Sequence, residues 1–192
     1  MVIGNTCSAA YAYKYLKKQY DSPFIWNSIY AEDFYNLITN FTDIDFSNIK
    51  CEMKLFPRDS KERACITIDD IVDVFYIHHT LDKAKEKYVK RVSRLIEFIN
   101  TNERPLNNIL FSYSMFDDKN ENSIYVNKLS ELNSNLLIIG YKDIDGLNIS
   151  HNSNVYNNNT YENYLLDNRI QLKHDDISKY LSIKYNKFFN KI

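Results

Sequence analysis

The stretch IVDVFYIHHTLDKAKEKYVKRVSRLIEFINTNERPLNNILFSYSMF, residues 71–116, decides the class of the fold. Its first part, IVDVFYIHH, is β-branched and aromatic, reads as a buried strand, and ends at His78 and His79. Thr80 stands at the N-cap position of the next element. There Leu81, Ala84, Tyr88, Val92, Leu95 and Ile99 recur at three- and four-residue intervals, which predicts one long amphipathic helix. After the turn NERPLNN, ILFSYSMF reads as a second strand. Strand, helix and strand in succession argue for an α/β domain with a largely parallel central sheet.

Working outward, MVI at residues 1–3 resembles the end of a short buried strand, and SAAYAYKYLKKQY continues as a helix. SPFIW is a loop in which Pro23 holds Ser22 extended. SIYAEDFYNLITNF, residues 28–41, predicts a helix with Ile29, Phe34, Leu37, Ile38 and Phe41 on one apolar face. KCEMKLF and RACITI flank a hairpin around residues 57–61. Beyond the loop DDKNEN, a helix SIYVNKLSEL leads to a third strand, NLLIIGYK. The Asn-rich residues 148–163 bury little apolar area and read as a surface excursion. A C-terminal helix begun near Asp176 carries Ile177, Leu181 and Tyr185 on one face. The expectation is one three-layer α/β domain over residues 1–192, its central sheet flanked by helices.

Composition narrows the function classes. The 24 basic and 25 acidic residues leave a net charge of −1, which offers no basic field for nucleic acid. Sixteen Tyr and 11 Phe against 3 Gly and 3 Pro match the codon bias of an AT-rich genome, so the aromatic excess is not itself a binding signature. Cys7, Cys51 and Cys65 form no CxxC pair, and no clustered zinc ligands occur, so no metal is expected. With no signal-peptide pattern and no apolar run of about 18 residues, the chain is expected in the cytoplasm with reduced thiols and no transmembrane segment.

The chemistry has candidates at the strand ends, where an α/β sheet gathers its ligand-binding groups. Cys7 follows the first strand, and His78 and His79 end another, so the expected fold puts a thiol and an imidazole on one edge as a nucleophile and base. Ser8 and the N–H groups starting the first helix, with the Asn5 amide, would stabilise a thiolate or an oxyanion. Asp69, Asp70 or Asp73 could orient the imidazole, with Asp73 taken forward as the catalytic acid candidate. Each residue also has a plainer reading. Cys7 could be packing, one histidine a cap and the other solvated, Trp26 a core anchor, and Arg91 and Arg94 a solvated face.

The segment IGNTCSAAYAYKYLKKQYDSPFIWNSIYAEDFYNLITNF resembles the start of a bacterial family of uncharacterised papain-like cysteine peptidases, with a Gly-x-x-Cys opening and a Pro-Phe-x-Trp motif. Here these are Gly4 to Cys7 and Pro23 to Trp26. The later FYIHHTLDKAKEKYVKRVSRLIEFIN, followed by NILFSY, is similar to the second half of that pattern. It is also similar to a neighbouring family of exopolysaccharide biosynthesis proteins, in which a His-bearing strand leads into an Ala-x-x-Lys helix with a spaced Arg pair. The matches cover roughly residues 2–46 and 70–115, about half of the chain.

The resemblance implies Cys7 as nucleophile and His78 or His79 as base. Papain-like peptidases need a long substrate cleft, and the small size of the chain, with no second domain expected, counts against the peptidase part of that resemblance. A capsule or exopolysaccharide setting favours transfer of a small acyl group to a sugar, or its hydrolysis, through a covalent thioester. The donor would be an acyl compound such as acyl-coenzyme A, with Trp26, Arg91 and Arg94 on the substrate side and the guanidinium groups matching phosphate. Two other expectations compete: a non-catalytic carbohydrate-binding or assembly protein of the same pathway, and a phosphate-binding transferase without covalent catalysis. No Gly-rich phosphate loop is present.

Overall fold

The computed structural model describes residues 1–6, 9, 10, 13, 17–114, 123–132 and 136–139 of the 192-residue chain. These form a mixed α/β structure with two three-stranded sheets. One is parallel, in the order β1 (Val2–Gly4), β5 (Leu110–Ser114), β6 (Leu136–Ile139). The other is an antiparallel meander of β2 (Ile49–Phe56), β3 (Lys61–Ile68) and β4 (Val72–Tyr76). Three helices accompany them: α1 (Ala31–Thr39), α2 (Leu81–Thr101) and α3 (Ser123–Glu131), with a 3-10 turn at Pro105–Asn108. Ala9, Ala10 and Tyr13 are helical as well.

Loop length explains why the two sheets differ. The β2–β3 connection is residues 57–60, closed by the Ser60 N–H donating to the Phe56 carbonyl at 2.9 Å, and so short a link can join only antiparallel neighbours. At the β3–β4 corner, Asp69 and Asp70 have φ of 51° and 56°, and Ile71 N–H donates to Ile68 O at 2.9 Å. Successive left-handed residues make the type I′ turn whose twist suits a hairpin. The parallel pairs need longer crossovers, and α3 lies between β5 and β6 in sequence.

The two sheets meet through one short extended segment. Ser28 N–H donates to Phe75 O at 2.7 Å and Phe75 N–H donates back to Ser28 O at 2.9 Å, continuing the ladder beyond β4. Next in the chain, Ile29 N–H donates at 2.9 Å to the carbonyl of Asn5, just past β1. The bonded order therefore runs β6, β5, β1, the 28–29 segment, β4, β3, β2.

A continuous chain of aromatic rings fills the interior. Phe24, Phe46, Phe41, Phe111, Phe34 and Tyr113 succeed one another with centroids 6.2, 5.2, 5.8, 6.3 and 5.5 Å apart. The helix α2 lays Ala84, Tyr88, Val92 and Leu95 over the face of β2 and β3 that carries Ala64, Ile66 and Ile68. Tyr76 and Tyr88 are fully buried, and each hydroxyl donates to a loop carbonyl at 2.9 Å, Tyr76 to Pro23 and Tyr88 to Phe46.

Several expectations are revised by these contacts. The strand, helix and strand of residues 71–116 are present, but β4 and β5 are not neighbours, because α2 carries the chain from the meander to the other sheet. Parallel pairing accordingly holds for three strands and not for the other three. The helix expected from residue 28 starts at Ala31, since the main chain of Ser28 and Ile29 is committed to strand partners. Thr80 holds the N-cap position of α2 without a side-chain cap, and only its carbonyl accepts, from Ala84 N–H at 2.9 Å. The first expected helix does not reach Tyr20, because Lys17 turns with φ of 52° and residues 18–20 are not helical. Its residues 8, 11, 12 and 14–16, the 117–122 loop, the Asn-rich segment 148–163 and the helix near Asp176 lie outside the described residues.

Gly4 ends β1 beneath the start of the helical stretch. A Cβ built on it would lie 2.6 Å from the Ala9 Cβ, and a methyl on a packed helix has nowhere to swing. Gly4→Ala is expected to cost about 1–3 kcal/mol of stability, read as a lower urea midpoint at unchanged slope.

Candidate functional site

The end of β1 and the end of β4 are tied to the same two residues. Buried Asn5 follows β1, donating its N–H to Ser112 O at 3.1 Å and accepting from Ile29. Phe75, near the end of β4, pairs with Ser28. Residues leaving both strands therefore start from one part of the bonded sheet. Cys7 and Ser8 lie outside the described residues. Trp26 is half-buried and holds φ of 65°, so the Pro-Phe-x-Trp segment ends in a left-handed turn at the tryptophan rather than in a fully buried anchor.

The two histidines occupy the turn between β4 and α2 and differ in environment. His78 is exposed. His79 is half-buried, stacks against Tyr76 with ring centroids 6.3 Å apart, and has its Nε2 3.0 Å from Lys87 Nζ. An ammonium can only donate, so Nε2 is the acceptor and the imidazole is neutral. Burial, and next the Lys87 charge, hold the His79 pKa below its ordinary value, while a hydrogen bond to the His78 main chain opposes them.

Lys87 opens a basic strip along α2. Lys87, Lys90, Arg91 and Arg94 fall on one face by helical spacing and line a groove of about 290 Å³ closed on the other side by Gln19 and Tyr20. Arg91 Nη1 donates to Ile25 O at 3.4 Å and its guanidinium lies 5.2 Å over the Tyr20 ring. Arg94 Nη1 donates to Tyr20 O, and the Gln19 amide, turned with its oxygen inward, accepts from Nη1 and Nη2 at 3.2 and 2.9 Å. Burial draws the Arg91 pKa down. The arginines thus hold segment 19–25 rather than standing as a solvated face.

The three aspartates considered for the histidine lie elsewhere. Asp69 accepts from Asp45 N and Asn48 Nδ2 at 3.1 and 2.9 Å, and Asp70 pairs with Lys50 at 2.5 Å, at the opposite end of β4. Asp73 points away from the Val72, Val74 and Tyr76 face. It receives Lys54 Nζ on both oxygens at 2.9 Å and the Thr67 hydroxyl at 2.6 Å, and bonds neither histidine. Strand alternation decides this, because residue 73 shares a face with Phe75 and Cys65.

That second face carries groups the sequence reading passed over. The Asp33 carboxylate accepts from Asp73 N–H at 3.0 Å and covers the β4 edge beyond Ser28. Burial, with the charges of Asp73 and Glu32, pushes its pKa up to about 6 against the pull of the Asp73 N–H. Cys65 is buried beside Phe56 and Phe75, and desolvation drives its thiol up to about 12. Cys51, half-buried, is also raised by burial. Neither is an activated thiol. Among the described residues no group of three His, Cys, Asp or Glu side chains could hold a metal ion, and no helix is long and apolar enough to cross a membrane.

Comparison with protein families gives a match to the model of a domain of unknown function, DUF1919, over residues 1–190. The chain belongs to the DUF1919 family. No curated protein matches it. In this DUF1919 chain the Lys87–His79 contact and the α2 groove are features of one helix face. Their helical spacing was open to reading, whereas the segment 19–25 laid across them was not.

Two outcomes test this electrostatic picture. Lys87→Ala removes a donor and a neighbouring charge, so the His79 pKa should rise toward its ordinary value in an NMR titration of the ring protons. For Asp33, whose folded pKa lies above the unfolded value of about 3.9, the folded chain keeps a proton that the unfolded chain has lost between about pH 4 and 6. Stability should therefore fall as pH rises through that window. Asp33→Asn, which retains an acceptor for Asp73 N–H, should abolish that slope in urea titrations and raise stability at pH 7 by about 1–3 kcal/mol.

Proposed function

We propose that the protein is a cytoplasmic enzyme of bacterial surface-polysaccharide metabolism that transfers or hydrolyses an acyl group through Cys7, with His78 or His79 as base. The observation that carries this reading is the shared anchorage of the β1 and β4 ends at Ser28 and Ile29. Cys7 lies two residues beyond Asn5, and the histidines three and four beyond Phe75. The polysaccharide setting rests on the resemblance of the His-bearing strand and its helix to exopolysaccharide biosynthesis proteins, and the thiol on the Gly-x-x-Cys opening.

In this mechanism the neutral imidazole takes the Cys7 proton as sulfur attacks the acyl carbonyl. A tetrahedral oxyanion forms beside the Asn5 amide, Ser8 and the N–H groups of the helical stretch. Collapse expels the donor's leaving group, which receives the proton, and leaves a thioester. A sugar hydroxyl or water, deprotonated by the same imidazole, then attacks the thioester and frees the thiolate. His79 serves as this base only by surrendering its Nε2 bond to Lys87, whereas His78 has no such competitor among the described residues. We also assign the parallel sheet to the middle of a three-layer arrangement. Leu110, Phe111, Ser112 and Tyr113 of β5 are all buried, so both of its faces are covered.

Alkylation of the native protein by iodoacetamide across a pH series, read at each cysteine by mass spectrometry, tests the thiol. Cys7 should react first, with an apparent pKa well below about 8.5. Cys65 should stay protected and Cys51 should lag, as their burial requires. Cys7→Ser should fold normally and abolish acyl transfer. A Cys7 that titrates like Cys51 removes the nucleophile and leaves carbohydrate binding without catalysis as the reading to test.

A further inference from the structure

We infer that the groove between α2 and residues 19–25 binds the phosphate or diphosphate group of a small molecule, held by Lys87, Lys90, Arg91 and Arg94. The phosphate site stands without the Cys7 chemistry. It rests on the proposed function only for the identity of the donor that would bring the phosphate.

Charge bookkeeping makes the first argument. Four cations line a groove of about 290 Å³, and Glu86 is the single carboxylate beside them. Among the described residues, ion pairs join Lys50 to Asp70, Lys54 to Glu52 and Asp73, and Arg63 to Asp59, and none includes a groove cation. Four like charges within two turns of helix repel one another. Burial first, and the neighbouring cations with it, draw down the pKa of both Lys87 and Arg91. Binding an anion of two or more charges relieves that repulsion.

Preorganisation is the second argument. The Arg91 and Arg94 side chains are already immobilised on the carbonyls of Ile25 and Tyr20, on the Gln19 amide and on the Tyr20 ring, so little rotamer freedom remains to be lost on binding. A guanidinium has five donors, and these contacts use only part of them. Planar donor forks fit phosphate oxygens in pairs, and Lys87 and Lys90 add mobile point charges at the rim.

Size and overall charge select the ligand. Pockets for drug-sized ligands span about 300–1,000 Å³, so this groove suits a phosphate-bearing end and leaves the rest of a larger molecule outside it. A net charge of −1 gives the chain no overall basic field to draw in a nucleic acid.

Isothermal titration calorimetry of the full chain at low salt, with inorganic pyrophosphate and separately with coenzyme A, tests the inference. Saturable pyrophosphate binding is expected, weakened about tenfold or more by Lys90→Glu, an exposed position whose fold is checked by circular dichroism. Lys87→Ala should weaken it in the same sense. Lys61→Ala, on the hairpin, and Cys7→Ala should leave it unchanged, which separates this site from the thiol. Tighter binding of coenzyme A identifies a donor-borne phosphate, and equal or weaker binding identifies free phosphate or diphosphate as the ligand. No saturable heat with either compound, or binding equally strong in Lys90→Glu and Lys87→Ala, overturns the assignment.

Discussion

The structure depends on three main-chain hydrogen bonds at Ser28 and Ile29. Without them, among the described residues, the parallel sheet and the meander would meet only through side chains, and the edges of β1 and β4 would carry unpaired N–H and C=O groups in the interior. With them, two small sheets share one bonded order, and Asp33 continues the cover along β4 where the ladder stops. The same two residues bring the strand ends together, so scaffold and candidate site have a common origin.

Tyrosine supplies much of the remaining fixation. In a chain with 3 Gly and 3 Pro, irregular segments cannot rely on turn chemistry alone. The Tyr76 and Tyr88 hydroxyls hold the carbonyls of Pro23 and Phe46, and the Tyr13 oxygen accepts from Val2 N–H while donating to Asp21. Each ring fills the core, and each hydroxyl satisfies a polar group at its margin. The compositional bias has thus become a structural device.

Legibility in the sequence followed how local each determinant was. The hairpin at residues 57–60, the helix α2 and the strands flanking it could be read because their periodicity and turns are set by near neighbours. The 28–30 segment could not, because its apolar pattern fits a helix while its backbone partners are 24 and 47 residues away. Of the candidate site, the position of His78 and His79 between a strand and the helix α2 was visible, although the strand stops at Tyr76 and leaves both in the turn. The alternation that turns Asp73 to Lys54 was visible in principle, whereas the Lys87 bond to His79 and the cover of Gln19 and Tyr20 depend on tertiary packing.

The position of β1 also bears on how the chain reaches this structure. The meander pairs residues within 49–76, so its contacts are local and can form as soon as that length of chain exists. The first strand must wait, because Val2 pairs with Leu110 and Asn5 accepts from a segment that is itself docked on Phe75. During synthesis β1 is therefore made long before its partner β5 and is among the last strands to find both neighbours. Until β5 emerges, Val2 and Ile3 are an exposed apolar strand, and it is in that interval that the nascent chain is most open to mispairing or to capture by a chaperone.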